Sequence, residues 1–95
     1  PVLVDFWAEW CGPCQTLGPA IEQAVALLEG RVELVRIDVD TNQKLAAAFR
    51  VAGIPTVKAF VGGEVVDGFT GASSPTRIEA FLFRLVAGAL DSRDK

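Results

Sequence analysis

The chain contains two cysteines, Cys11 and Cys14, which flank Gly12 and Pro13 in the sequence WCGPC. Two thiols at this spacing can bind a metal, form a structural cross-link, or exchange reversibly with other disulfides. A zinc site usually takes four ligands, and the chain has two Cys and no His. A disulfide across so short a loop gains little stability from loop entropy. Redox chemistry is therefore favoured, and a metal bridging two chains or a structural disulfide are the alternatives.

The segments on either side of the cysteines predict a strand followed by a helix. Residues 1–7 (PVLVDFW) form an apolar run typical of a strand buried on both faces. Apolar residues at helical spacing follow Cys14, and Pro19 lies among them. Cys11 would then lie at a helix N-terminus, where free N–H groups and the helix dipole stabilise a thiolate. We expect Cys11 to attack disulfides and the more buried Cys14, one turn later, to resolve the mixed disulfide.

Asp5 is an acidic residue inside the first predicted strand. If the strand is buried on both faces, desolvation should raise the pKa of this carboxyl. Carboxyls of this kind are candidates for general acid–base catalysis. The alternative is that Asp5 occupies a solvent-facing position of the strand.

The rest of the chain predicts further strands and helices in the order β-α-β-α-β-β-α. Gly62-Gly63 indicates a hairpin turn between two strands, and Ser74-Pro75 is typical of a helix start. A crossover helix should make the first two strands parallel, which predicts a mixed α/β sheet with helices on both faces. The later predicted elements are a strand at 32–39, a helix from Thr41 or Asn42 to Phe49, strands at 56–61 and 64–70, and a helix from Pro75.

Three segments resemble the thioredoxin family: VDFWA before WCGPC, Pro19 within the helix, and Ile54-Pro55-Thr56 before the hairpin. The resemblance covers nearly the whole chain and implies a thioredoxin-like fold over residues 1–90, with a polar tail at 91–95. The family's opening strand and helix are missing here. We therefore expect four strands rather than five, with the 32–39 strand at a sheet edge.

The resemblance implies roles for individual residues. Cys11 matches the nucleophilic cysteine, Cys14 the resolving cysteine, and Asp5 a buried carboxylate that exchanges a proton with the resolving thiol. Pro55 matches a cis-proline that faces the cysteines, and the backbone of Ile54 should pair with the substrate chain. A trans Pro55 in an ordinary turn is the alternative.

The resemblance also implies a flat apolar surface around the nucleophile, suited to an extended polypeptide. For Gly53 and Gly71, turn geometry alone is an equally good explanation. The residues that match the surface are Trp10, Gly12, Pro13, Gly53, Ile54, Pro55, Gly71 and Ala72.

Three positions depart from the family's usual pattern, one of them Lys58, which lies in a hairpin strand position that is usually apolar. Gln15 stands where a Lys or Arg usually follows the cysteine motif, and the missing cation should slightly weaken thiolate stabilisation. Arg36 stands where many members have a Lys that couples to the buried acid. Because arginine does not lose its proton, its charge there would be permanent.

These features predict a thiol–disulfide oxidoreductase that reduces protein disulfides, with a thioredoxin reductase as its electron donor. One alternative is the thioredoxin-like domain of a chaperedoxin-type bacterial co-chaperone, which holds unfolded clients and exchanges disulfides with them. The segments IPTVKAFVGGEVVDGFTGA and RIEAFLFRLV resemble that branch. Another alternative reverses the electron flow and makes the chain an oxidant or isomerase.

Composition argues against several other classes of function. The chain has 95 residues and a net charge of −3, with no Lys/Arg cluster that would suggest nucleic acid as a partner. No apolar run approaches the length of a membrane span, and no G-x-G-x-x-G or phosphate loop suggests a bound cofactor. No signal peptide is visible. We expect a cytoplasmic monomer without cofactor or metal.

Overall fold

The computed structural model describes residues 1–94, and the side chains of residues 1–88. Its elements follow the predicted order, and most bounds differ from the predicted ones by only one or two residues. The elements are β1 (Val2–Trp7), α1 (Gly12–Ala26), β2 (Glu33–Asp38), α2 (Gln43–Ala48), β3 (Thr56–Val61), β4 (Glu64–Thr70) and α3 (Pro75–Asp94).

The strands of the described residues form one four-stranded mixed sheet in the order β2-β1-β3-β4. β1 and β2 are parallel, and their register places Asp5 opposite Arg36. β3 is antiparallel to both β1 and β4. The predictions of a mixed four-stranded sheet and of β2 at its edge are therefore confirmed.

Helices cover both faces of the sheet, as predicted. α1 and α3 pack together on one face, while on the other the Phe49 ring after α2 contacts Phe6 and Phe60, with centroids 6.0 and 5.4 Å apart. β1 alternates between these faces, so nearly all of its side chains are buried, and it forms the centre of the molecule. The main core beneath α1 and α3 contains Leu3, Leu17, Ile21, Val32, Val57, Ala59, Ile78, Phe81, Leu82 and Leu85.

Local turn and cap signals also form as the sequence indicates. Gly62 and Gly63 have φ values of 61° and 83°, the left-handed conformation that a tight two-residue hairpin needs. The Ser74 hydroxyl accepts a hydrogen bond from the Arg77 N–H at 3.3 Å and caps α3. α1 begins at Gly12 rather than near Cys14, because Cys11 itself is its N-cap.

α3 continues through Asp94 and so enters the segment predicted as a polar tail. The division into a domain at 1–90 and a tail at 91–95 stays a prediction, and Lys95 lies outside the described residues. None of the helices in the described part of the chain is long and apolar enough to cross a membrane.

Candidate redox site

Cys11 and Cys14 form a disulfide at the N-terminus of α1, with their Cα atoms 5.3 Å apart. Cys11 is the N-cap residue, and its Sγ accepts a hydrogen bond from the Cys14 N–H at 3.2 Å. A donor and the positive end of a helix dipole at this sulfur would stabilise a thiolate in the reduced protein. Both cysteines are buried, with Cys11 only slightly more exposed than Cys14 (4% against 1%).

The loop between β1 and α1 positions this disulfide. The Cys11 N–H donates to the Ala8 carbonyl at 3.2 Å, which turns the chain sharply after β1. The Gln15 amide donates to the Glu9 carbonyl at 3.1 Å and links the first turn of α1 to the loop. Pro13 lies in that first turn, where its missing N–H costs no helical hydrogen bond.

The segment before β3 lies against the cysteines. The Ile54–Pro55 peptide bond is cis, as the resemblance implied, and Ile54 packs on the cluster formed by Ala8 and the two cysteines. The Gly71 N–H donates to the Pro55 carbonyl at 2.8 Å, so the start of the loop after β4 joins the same region.

The residues of the predicted substrate surface differ in their exposure. Trp10 is 70% exposed, and Gly12 and Pro13 are exposed at the start of α1. Ile54 and Gly71 are half-buried and Pro55 is buried, while Gly53 and Ala72 are exposed. Of these residues Ile54 packs on the cysteine cluster, and the role of the whole set in substrate binding stays a prediction.

Asp40 is a residue of the site that sequence reasoning missed. Its carboxylate accepts a hydrogen bond from the Trp10 indole Nε1 at 2.8 Å and fixes the exposed ring beside the cysteine motif. The Asp38 carboxylate accepts the Asp40 N–H at 2.9 Å and shapes this loop. The only sequence signal was indirect: parallel strands place the loops after β1 and β2 at the same sheet edge.

Asp5 lies in β1 with 1% of its surface exposed, so the alternative of a solvent-facing position is wrong. Burial raises the pKa of this carboxyl above its ordinary value of 3.8, and the Arg36 guanidinium offsets part of the rise. Arg36 Nε donates to Asp5 Oδ2 at 3.2 Å. Asp5 Oδ1 has no hydrogen-bond partner among the residues that the structure describes.

No metal-binding cluster forms among the described side chains: no three His, Cys, Asp or Glu residues come close enough to hold an ion. The absence of a metal and of a cofactor stays a prediction. What this arrangement can do chemically is form and break the Cys11–Cys14 disulfide, with a buried carboxyl in the strand that precedes it.

A Cys-x-x-Cys disulfide between a central strand and a helix defines an α/β protein of the dithiol–disulfide class. The thioredoxin family model matches residues 1–84, and the chain belongs to the thioredoxin family.

Individual relatives agree with this assignment. The bovine protein "Thioredoxin, mitochondrial" is 45% identical over 86 residues, which is 90% of this chain and 52% of that protein. "Thioredoxin" from Streptomyces clavuligerus is 49% identical over 72 residues, covering 76% of this chain and 66% of that protein. The chain thus spans about half the length of the mammalian relatives it matches.

A solved structure is similar to this chain in both fold and sequence. A mutant thioredoxin from Halobacterium salinarum NRC-1 superposes with a TM-score of 0.79 at 40% identity. The match covers 90% of this chain and 74% of that one.

Proposed function

We propose that this chain is a thiol–disulfide oxidoreductase that reduces disulfides in proteins. The observation that carries the proposal is the Cys11–Cys14 disulfide at the N-terminus of α1, where the Cys14 N–H donates to the Cys11 sulfur. Relatives named thioredoxin at 45–49% identity support it.

The reaction begins from the reduced dithiol. The Cys11 thiolate attacks one sulfur of a substrate disulfide, so a Cys11–substrate bond forms and the second substrate sulfur leaves as a thiolate. Cys14 then loses its proton and attacks the Cys11 sulfur, which releases the first substrate sulfur as a thiolate. Two electrons have passed to the substrate, whose thiolates take up protons, and the Cys11–Cys14 disulfide has formed.

Asp5 is the proposed base for the second step. Its raised pKa suits proton exchange with a thiol better than that of an ordinary aspartate. Its Oδ2 is held by Arg36, and Oδ1, which has no partner within the described residues, is free to accept the proton.

The substrate is proposed to be an extended protein segment that lies on the exposed surface beside Cys11. The Trp10 ring, held by Asp40, and the exposed Gly12 and Pro13 would contact its side chains. The backbone of Ile54, just before the cis-proline, would pair with its main chain. Oxidised protein must then be reduced again, and a thioredoxin reductase is the proposed donor.

The first experiment equilibrates the protein in defined thiol–disulfide buffers and counts free thiols by trapping. A reversible two-electron transition near the thioredoxin value of about −270 mV supports a reductase. A value near about −120 mV would instead make the protein an oxidant, and no reversible transition would overturn the redox proposal. Cys14→Ser should accumulate the mixed disulfide with a substrate, whereas Cys11→Ser should not react.

A second candidate function is holding unfolded clients, as in a co-chaperone. It is favoured by large apolar side chains that are exposed, Trp10 at 70% and Phe83 at 75%. Suppression of aggregation of a denatured protein by the double variant Cys11→Ser, Cys14→Ser would support client holding independent of the dithiol. Loss of all activity in this variant would favour the oxidoreductase alone.

The cytoplasmic location and the monomeric state are proposed on the sequence features alone. Cell fractionation tests the location, and size-exclusion chromatography with light scattering tests the monomeric state.

A further inference from the structure

A buried hydroxyl lies at the end of the bend that carries Ile54. This bend runs from Gly53 to Thr56, which is the first residue of β3. Thr56 is only 6% exposed although its side chain is polar. Its Oγ1 donates a hydrogen bond to the Gly53 carbonyl and so joins the two ends of the bend. The side chain of Thr56 therefore holds the bend closed from the side of the sheet.

A second hydroxyl supports the first. Thr70 lies opposite Thr56 in the antiparallel pairing of β3 and β4, and the two Oγ1 atoms are 3.3 Å apart. A threonine hydroxyl has a single proton. Because the proton of Thr56 points to Gly53, Thr70 must be the donor between the two threonines. Donation therefore runs from Thr70 through Thr56 to Gly53, an arrangement in which each hydrogen bond strengthens the next.

The backbone of Ile54 lies between the anchored residues of the bend. Within the described residues, neither its N–H nor its carbonyl makes a backbone hydrogen bond, so both groups are open to another chain. Pro55, the next residue, is held by the Gly71 N–H at 2.8 Å. Hydrogen bonds weaken steeply when donor and acceptor are poorly placed. The groups that fix Gly53 and Pro55 thus also fix the two backbone groups of Ile54.

We propose that Thr56 is a positioning residue for substrate binding: its hydroxyl, supported by Thr70, holds the backbone of Ile54 where an extended substrate can pair with it. This inference rests on the proposed function, in which Ile54 pairs with the main chain of the substrate. Because Thr56 is buried, it acts through Ile54 rather than by touching the substrate. A backbone that is already fixed does not have to be ordered on binding, and this favours affinity.

A purely structural role of the Thr56 hydroxyl predicts a different result. If the hydroxyl only stabilised the fold, its loss would affect reactions with all disulfides alike, or none of them. A positioning role is selective, because a protein disulfide has a main chain that can pair with Ile54. A small aromatic disulfide such as dithiobisnitrobenzoate has no peptide group and does not depend on this pairing.

The experiment compares the wild type with Thr56→Val, which keeps the branched shape and replaces the hydroxyl by a methyl. We expect KM for insulin reduction to rise about fivefold, the effect of one lost hydrogen bond, with kcat nearly unchanged. Reduction of dithiobisnitrobenzoate should proceed at the wild-type rate. Thr56→Ser keeps the hydroxyl and should keep KM near the wild-type value.

Thr70→Val tests the same hydroxyl chain from an exposed position, so it leaves the core intact even if Thr56→Val does not fold. KM for insulin should rise about twofold, since Thr56 keeps its bond to Gly53 but loses the support of Thr70. In the Thr56→Val background Thr70→Val should have no further effect. An unchanged KM in Thr70→Val, or additive effects in the double variant, would overturn the hydroxyl chain.

Amide hydrogen exchange gives a readout besides activity. In Cys14→Ser, a disulfide between Cys11 and a cysteine-containing peptide traps the bound state. Exchange of the Ile54 N–H should be slower in this complex than in the free protein, because the peptide covers and pairs with it. Thr56→Val should remove most of the slowing. Equal slowing with and without the Thr56 hydroxyl would contradict the positioning role.

Thr76→Val is the matched control, since it makes the same chemical change at an exposed threonine in the first turn of α3. It should leave KM for insulin unchanged, and a rise equal to that of Thr56→Val would count against the proposal. Equal loss with insulin and with dithiobisnitrobenzoate in Thr56→Val would overturn the further inference alone. A wild type that cannot reduce insulin would instead overturn the proposed function.

Discussion

The carboxyl of Asp5 is buried in the central strand β1. Because burial changes the pKa of this carboxyl, the stability of the fold depends on whether Asp5 carries a proton. Burial raises its pKa above 3.8, and the nearby Arg36 reverses only part of this change. The folded protein therefore binds a proton more readily at Asp5 than the unfolded chain does. In the window between 3.8 and the raised pKa, stability must fall as the pH rises.

We expect the free energy of unfolding of the oxidised protein to decrease with pH in this window, by at most about 1.4 kcal/mol per pH unit. Asp5→Asn should flatten the decrease, because the amide has no proton to lose. Urea unfolding at a series of pH values measures both proteins. Asp67→Asn, on a partly exposed aspartate, is the control and should keep the wild-type slope; an unchanged slope in Asp5→Asn would contradict the linkage.

At the scale of elements, the backbones of β3 and β4 approach each other so closely at Gly68 that a residue with a Cβ atom would clash there. A Cβ on Gly68 would lie 2.8 Å from the Val57 carbonyl oxygen, which is backbone and cannot rotate away. The pairing shifts near Ala59 and Phe60, so β4 is already irregular next to this position.

Gly68→Ala should lower the free energy of unfolding by about 1–3 kcal/mol, because the strands must separate locally. Gly88→Ala is the matched comparison, since a Cβ at this position in α3 would have no described atom within 4 Å apart from the adjacent backbone of its own helix. It should raise stability by up to about 1 kcal/mol through helix propensity. Equal effects of the two substitutions in urea unfolding would rule out the steric explanation for Gly68.

At the scale of the whole molecule, the sheet has two edges of different character. β4 carries the irregular pairing noted above, whereas β2 pairs with β1 in an unbroken register. An even, unpaired edge is the better template for another strand. At pH 7 the net charge of −3 makes copies of the chain repel one another. This electrostatic repulsion disappears near the isoelectric point of about 4.8, where the net charge is zero.

Light scattering at pH 4.8, the isoelectric point, should therefore report association through β2. Val35→Lys on β2 and Val66→Lys on β4 add the same charge to valines that are 38% and 53% exposed. We expect Val35→Lys to reduce scattering more strongly. Equal reductions would mean that net charge alone controls association.

Much of the fold was predictable because its signals are local. The apolar run of β1, the helical spacing in α1, the Gly62-Gly63 turn and the Ser74 cap each depend on residues close together in sequence. The cysteine pair could be placed at a helix start for the same reason. The contact of Trp10 with Asp40, 30 residues apart, was not predictable, because the shared sheet edge brings the two loops together without specifying which side chains meet.

The sequence by itself determined the order of strands and helices and the chemistry available to Cys11 and Cys14. The resemblance also implied that Arg36 couples to the buried acid, and only the tertiary structure decided which further groups surround this pair. The register of β1 and β2 places Arg36 opposite Asp5, and the packing of α1 adds Gly18 and Glu22 to the same cluster. Register and packing depend on the sum of burial over the whole sheet, so no local pattern in the chain encodes them.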